Sequence, residues 1–384
     1  MKRYRVNVEA MVLLFVGLMC LLFLVHDANE PPVLQHEKLS FARPSRLTAE
    51  SPSLQQLQWI SKCQENTSVE NIDGFSKLPS HVKDFLKYRH CRTFPLILDS
   101  PKTCGGSVAS KNVFLLLAIK SSPANYERRS IIRQTWGEEG AYNGVQVRRI
   151  FLSGIPKNQK DEKRMRQLLT LESQMYGDIL QWEFQDTFFN LTLKQVLFHQ
   201  WLEDNCPGVH FIFNGDDDVF VNTFNVITYL HGLGEGGGNK HLFVGQLIAN
   251  VGPIREAGSK YYVPVQITTS NSYPMYCGGG GILMSRYTSQ AIYNASQSID
   301  LLPIDDVYLG MCLEKAGLVP ASHIGMSTVG IRVPSNKLDP FDPCYYRELL
   351  MVHRFVPYEM LIMWKAVQDP NLDCGKKSSI YVGV

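Results

Sequence analysis

A chain of 384 residues, 45% of them hydrophobic, with a formal net charge of +2, has a globular composition and room for one large domain or two smaller ones. So balanced a charge excludes the strongly basic class that seeks nucleic acid or acidic surfaces. Nine cysteines without a CxxC pair weigh against zinc and thioredoxin-type chemistry. All but Cys20 lie beyond the N-terminal apolar segment and fit disulfides in an oxidising compartment.

An apolar run from Ala10 to Val25 follows Lys2, Arg3 and Arg5. Basic residues ahead of it keep the N-terminus cytosolic, which predicts a tail at 1–9, a signal-anchor at 10–26 and a lumenal remainder. The boundary Val25-His26-Asp27-Ala28 offers no small-x-small cleavage site, so an uncleaved anchor is favoured over a signal peptide. A span this short points to thin early secretory membranes. From Asp27 to about Thr67, prolines and scattered polar residues read as a stem. Val82 to Pro95, with aromatics and Cys91, reads as an accessory segment stapled to the body. The expected division is stem and accessory segment at 27–107, then a catalytic domain at 108–384. Sequons at Asn66, Asn190 and Asn294 suit a lumenal location.

Val113 to Ile119 is a continuous apolar run, the kind buried on both faces of a sheet. Arg149 to Ser153 and Ile179 to Trp182 are further strands. Lys160 to Tyr176 has helical spacing with Met165, Leu168, Leu169 and Met175 on one side, and Leu191 to Leu202 reads as another amphipathic helix. Alternating strands and helices predict an α/β domain with a mostly parallel central sheet flanked by helices. The glycines from 232 to 238 read as a surface loop.

Val209 to Phe213 predicts a buried strand that empties through Asn214-Gly215 into Asp216, Asp217 and Asp218. Three adjacent like charges at a strand end repel one another, and a divalent cation is the simplest remedy, since carboxylates suit Mg²⁺ or Mn²⁺. The rival reading is an acidic turn in solvent.

Four other stretches carry polar groups that chemistry can use. Lys120, and Arg129 and Arg133 on one helix face, stand after the first strand, where they either meet phosphates or form a solvated basic face. Asp186, Asn190 and Lys194 join a strand to a helix, as donor contacts or as caps. Tyr273 and Tyr276 precede four glycines that include Gly279 and Gly280, which permits stacking on a sugar and close backbone approach, or simply a tight bend. Asp305 and Asp306 open a predicted helix, where they favour the dipole or supply a general base. His353 ends an apolar strand, a position more often structural than ligating.

Taken together the motifs resemble the β-1,3-glycosyltransferases of glycosyltransferase family 31. The matching blocks are Tyr126-Glu-Arg-Arg through Arg133-Gln-Thr-Trp-Gly137, Phe188-Phe-Asn-Leu-Thr-Leu-Lys194, Asp216-Asp-Asp-Val-Phe220, Cys277-Gly-Gly-Gly-Gly281 and Ile304-Asp-Asp-Val-Tyr308. Segments 84–95, 245–255 and 353–360 are similar to the N-acetylglucosaminyltransferase branch that builds mucin-type O-glycans. The resemblance implies a GT-A fold, a type II Golgi membrane enzyme, UDP-GlcNAc as donor, Mn²⁺ or Mg²⁺, and inversion. It implies a glycoprotein or glycolipid acceptor ending in galactose, either core-1 O-glycan or N-acetyllactosamine-type chains. Transfer to GalNAc (core 3), a galactose donor, or a non-catalytic lumenal sugar-binding or chaperone homologue are the alternatives. By motif, Asp216, Asp218 and His353 are metal ligands and Asp306 is the catalytic base. Lys120, Arg129, Arg133, Asp186, Asn190, Lys194 and Asp217 are assigned to the donor, and Tyr273, Tyr276, Gly279, Gly280 and Asp305 to the sugar and acceptor pocket. Cys277 opens a block where some members carry a small residue, and a disulfide there would stiffen the pocket.

Overall fold

The computed structural model describes residues 63–157, 159–331 and 338–375. The expected anchor and nearly all of the stem lie outside the described residues. Among those described, no helix is long and apolar enough to cross a membrane.

In chain order come α1 (Ser80–Tyr88), β1 (Leu96–Leu98), β2 (Val113–Lys120), α2 (Tyr126–Gln134), β3 (Gly140–Tyr142), β4 (Val145–Ile155), α3 (Gln159–Tyr176), β5 (Ile179–Gln185) and α4 (Leu191–Asn205). There follow β6 (Phe211–Asp216), β7 (Val219–Val221), α5 (Thr223–His231), β8 (Phe243–Gly245), β9 (Leu247–Ile248), β10 (Tyr276–Cys277), β11 (Gly281–Ser285) and α6 (Arg286–Ser296). The chain closes with α7 (Asp305–Lys315), β12 (Ala321–Ser322), β13 (Met326–Ser327), β14 (Met351–His353) and α8 (Pro357–Val367).

The main sheet runs β1-β5-β4-β2-β6-β11-β8-β12, with β3 paired to β4. Only β5, β4, β2 and β6 form the expected continuous parallel core. The strand β11 is antiparallel to both β6 and β8, so the sheet is mixed rather than mostly parallel. Side chains of β2 alternate between two apolar layers. Leu116 and Ala118 join α1, α4 and α7 on one face, while Leu115, Leu117 and Ile119 meet α2, α5 and α8 on the other. A second sheet, β13-β14-β7, lies beside this second layer.

Three expectations change. Ten residues of α4 are buried, so it is a core helix rather than an amphipathic one. Leu169 is fully buried on α3, but Met175 is 70% exposed, because the helix offers Glu172 instead to the interior. Within the glycine-rich stretch Gly237 and Gly238 are buried, with no room for a Cβ at Gly238 against the His210 backbone. The accessory segment packs on the body through Val82, Phe85 and Leu86, while Cys91 is bonded to Cys63 within the same region and does not staple it to the body. Disulfides join Cys63–Cys91, Cys104–Cys206 and Cys344–Cys374. Cys277 and Cys312 are free and buried, so the pocket carries a thiol and not a bridge.

Candidate active site

Sheet register builds the first half of the site. Parallel pairing of β2 with β6 sets Lys120 beside Asp216. The ammonium lies 3.0 Å from Asp216 Oδ1 and 2.8 Å from Asp305 Oδ2. Burial opposes its charge, but the two carboxylates outweigh burial and hold Lys120 above its ordinary range.

The second half comes from the small sheet. Antiparallel pairing of β7 with β14 puts His353 opposite Val219. His353 Nε2 consequently sits 3.0 Å from Asp218 Oδ1 and 3.8 Å from Asp216 Oδ2. The Asp218 carbonyl accepts both Arg354 N and Phe355 N, with Arg354 held at φ 79°. The three donor groups of Asp216, Asp218 and His353 lie within 4.8 Å of one another. Two carboxylates and an imidazole so close together fit a divalent cation of the Mn²⁺ or Mg²⁺ kind. Burial would raise Asp218, yet His353 and Arg128 hold it below the usual carboxylate range.

Asp217 points away from these groups. It accepts Asn125 Nδ2 at 2.8 Å and pairs with Arg128 at 3.0 Å, and burial still raises its pKa.

Asp306 is separate from the metal-type cluster. Its carboxylate accepts Gly279 N at 2.9 Å and Val307 N at 2.7 Å. Burial first, and then the charge of Asp305, push it up to about 7, against those two N–H groups and Lys120. Asp305 behaves oppositely: burial would raise it, but Lys120 holds it low. Two adjacent carboxylates thus differ in proton affinity because one has the ammonium and the other does not. Gln195 donates from Nε2 to Asn214 Oδ1 and to Asp305 Oδ2, which completes the floor.

The glycine run fits between these groups. Gly280 O accepts Asp216 N, and a Cβ at Gly280 would meet the His353 ring at 2.9 Å. Tyr273 and Tyr276 stand edge to face, 6.5 Å apart, and both phenols are raised by burial and by Asp306.

Other expected donor contacts are placed differently. Arg129 and Arg133 do not face the aspartates. Arg129 holds both oxygens of Glu172 at 2.8 Å, and Arg133 holds Glu172 and Asp178 at 2.7 Å. These are buried pairs that tie α2 to α3 and β5's approach, a correction to both assignments. Arg128, one step around the helix, is the guanidinium that reaches Asp217 and Asp218. Its signal was the doubled arginine, but the sequence alone does not say which one turns inward. Asp186 and Lys194 pair with each other at 2.8 Å, Asp186 also accepts Gly154 N, and Asn190 donates to Gln185 O. These three stay together where β4 and β5 end, apart from the aspartate cluster. Asn66 and Asn294 are exposed.

Known proteins match this chain along most of its length. Residues 127–323 match the family model described as galactosyltransferase. The chain is 52% identical over 353 residues to N-acetyllactosaminide β-1,3-N-acetylglucosaminyltransferase 3 of Homo sapiens, covering 92% of this chain and 90% of the relative. It is 50% identical to the acetylgalactosaminyl-O-glycosyl-glycoprotein β-1,3-N-acetylglucosaminyltransferase of Mus musculus, over 83% of this chain and 80% of that one. It is 42% identical to UDP-GlcNAc:betaGal β-1,3-N-acetylglucosaminyltransferase 7 of Rattus norvegicus, over 83% and 79%. With these matches spanning the strand that ends in Asp216 and the helix that begins at Asp305, the chain belongs to the galactosyltransferase family, glycosyltransferase family 31.

Proposed function

We propose that the protein transfers GlcNAc from UDP-GlcNAc to the 3-hydroxyl of a galactose-terminated acceptor, in β-1,3 linkage and with inversion. The observation that carries this reading is the separation of two carboxylate environments. One set, Asp216 and Asp218 with His353, is arranged for a cation, and Asp306 alone is arranged for a proton.

Asp216, Asp218 and His353 would hold Mn²⁺ or Mg²⁺, which when bound supplies charge neutralisation to the diphosphate leaving group. Arg128, facing the same carboxylates, adds positive charge on that side. Asp306 takes the proton of the acceptor hydroxyl as that oxygen bonds to the anomeric carbon and the bond to UDP breaks. The backbone N–H groups of Gly279 and Val307 fix the direction of its lone pairs. A direct displacement needs no enzyme nucleophile, in keeping with a single unpaired carboxylate. We place the protein in the Golgi membrane as a single-pass type II enzyme with residues 10–26 as its anchor, acting on glycoprotein or glycolipid chains.

The test is Asp306→Asn. Transfer should be lost while UDP-GlcNAc binding persists, and near-normal turnover would overturn the mechanism. A second reading, transfer to GalNAc on protein, is favoured by the activity for which the Mus musculus relative, at 50% identity, is named. Turnover with a GalNAc-peptide against a galactoside, each with UDP-GlcNAc and with UDP-Gal, decides acceptor and donor.

A further inference from the structure

The segment 249–275 has almost no regular structure, yet its backbone is tied down. Arg255 donates to the Val263 and Ser270 carbonyls at 2.6 Å each, and Val263 N donates to Ile254 O at 2.9 Å. Gln266 Nε2 donates to Asp73 O and Arg89 donates to Ile267 O, anchoring the segment to the accessory region. Ordered this way, the side chains at its tip are presented without the entropy cost of fixing a free loop.

At that tip Tyr261 is 47% exposed. Its ring meets Phe188 edge to face at 5.5 Å. Lys260 Nζ stands 5.0 Å from the Phe188 ring centroid and 5.2 Å from that of Tyr261. The ammonium has no carboxylate partner among the described residues. The segment leaves and rejoins the fold at the β9–β10 pair, where Tyr276 lies opposite Ile248 and packs on Gly310 of α7, the helix that carries Asp306. An exposed ring backed by the half-buried Phe188 and beside an unpaired donor suits a pyranose, whose C–H face stacks and whose hydroxyls accept hydrogen bonds.

Resting on the acceptor reading above, we infer that Tyr261, Phe188 and Lys260 form an outer subsite for the sugar that precedes the acceptor sugar. A one-sugar acceptor fills the inner position beside Asp306 and does not reach the tip. A two-sugar acceptor fills both.

The experiment compares a methyl β-galactoside with a disaccharide bearing the same galactose at its non-reducing end. Binding of each is measured by saturation-transfer NMR on the full-length Asp306→Asn protein, with and without Tyr261→Ala or Lys260→Gln. Tyr261 and Lys260 are exposed, so both variants are expected to fold. Tyr261→Ala should weaken the disaccharide about tenfold, the equivalent of a roughly 1.4 kcal/mol aromatic contact, and leave the galactoside unchanged. Lys260→Gln should weaken it several-fold. In the otherwise intact enzyme the same changes should raise KM for the disaccharide and leave kcat and the galactoside KM alone. Equal loss for both sugars, or no loss for either, overturns the subsite. Retained disaccharide selectivity in binding without any UDP release would sink the proposed reaction and leave the subsite standing.

Discussion

Lys120 joins Asp216 to Asp305, with its Nζ 3.0 Å from one carboxylate and 2.8 Å from the other. One ammonium thus couples the end of β6 to the start of α7. Lys120→Met keeps most of the volume and removes the charge, leaving two carboxylates without their cation. Stability should fall by about 3–5 kcal/mol. Adding Asp305→Asn should return part of that loss, giving a coupling of more than about 0.5 kcal/mol in a double-mutant cycle. Urea unfolding of the two single variants and the double variant measures it, and strictly additive losses would refute the bridge.

Asp306, raised to about 7, sets the expected pH dependence. As the base it must be ionised, so kcat/KM should rise with pH through an acid limb near 7. Asp305→Asn removes the neighbouring charge and should move that limb to lower pH. The sign for stability is the reverse of the usual carboxylate case. A folded-state pKa above the unfolded value of about 4 stabilises the fold below pH 4, and that contribution is lost as pH climbs through 7. Asp306→Asn should therefore be the more stable protein at pH 8 and lose its advantage towards pH 4. The gain should be about 1–3 kcal/mol, reduced because an amide satisfies only one of the two N–H groups it faces. Thermal unfolding across that range tests it, and a variant less stable at pH 8 would contradict the burial argument.

The arginines of α2 should separate by property. Arg133→Met breaks buried pairs to Glu172 and Asp178 and should cost about 3–5 kcal/mol. Its folded fraction should bind UDP-GlcNAc with the affinity of the parent. Arg128→Gln removes a part-exposed charge beside Asp217 and Asp218, so stability should change by less than about 1 kcal/mol. KM for UDP-GlcNAc should rise. Denaturant melts and donor titrations on both variants decide, and a donor defect confined to Arg133→Met would restore the sequence-based assignment.

What was legible in the sequence were features set locally. The apolar run of β2, the strand ending in Asp216 and the acidic start of α7 all follow from short-range pattern. Which arginine of α2 turns inward was not legible, because Glu172 and Asp178 lie about 40 residues away and only the fold brings them close. Strands of two residues such as β9, β10 and β12 have no period to detect. They owe their conformation to a neighbour, whereas the main sheet is mixed because β11 runs antiparallel to β6 and β8, which no local pattern announces. The free thiol of Cys277 was hidden for the same reason, since a cysteine count does not say which sulfurs meet. His353 stands out in the sequence only through motif order, and it is the β7–β14 pairing that brings its ring beside Asp218.

Gly280 should be the most sensitive small residue in the site. It sits at φ 113°, where a side chain is strained whatever the space, and a Cβ would meet the His353 ring at 2.9 Å. Its carbonyl cannot retreat freely, because it accepts the N–H of Asp216. Gly280→Ala must then move the imidazole away from Asp218, from which it now stands 3.0 Å. Separating one donor from the other two should raise the Mn²⁺ concentration for half-maximal activity by about tenfold or more, in the range seen when a metal ligand's support is lost. Gly258→Ala is the control, since a Cβ there meets nothing within 4 Å. Manganese binding followed by electron paramagnetic resonance reads the effect without any turnover. A weakened Mn²⁺ signal in Gly280→Ala, matched by His353→Ala and absent from Gly258→Ala, identifies the imidazole as the third ligand. An unchanged signal in both site variants would leave the two aspartates to hold the cation without it.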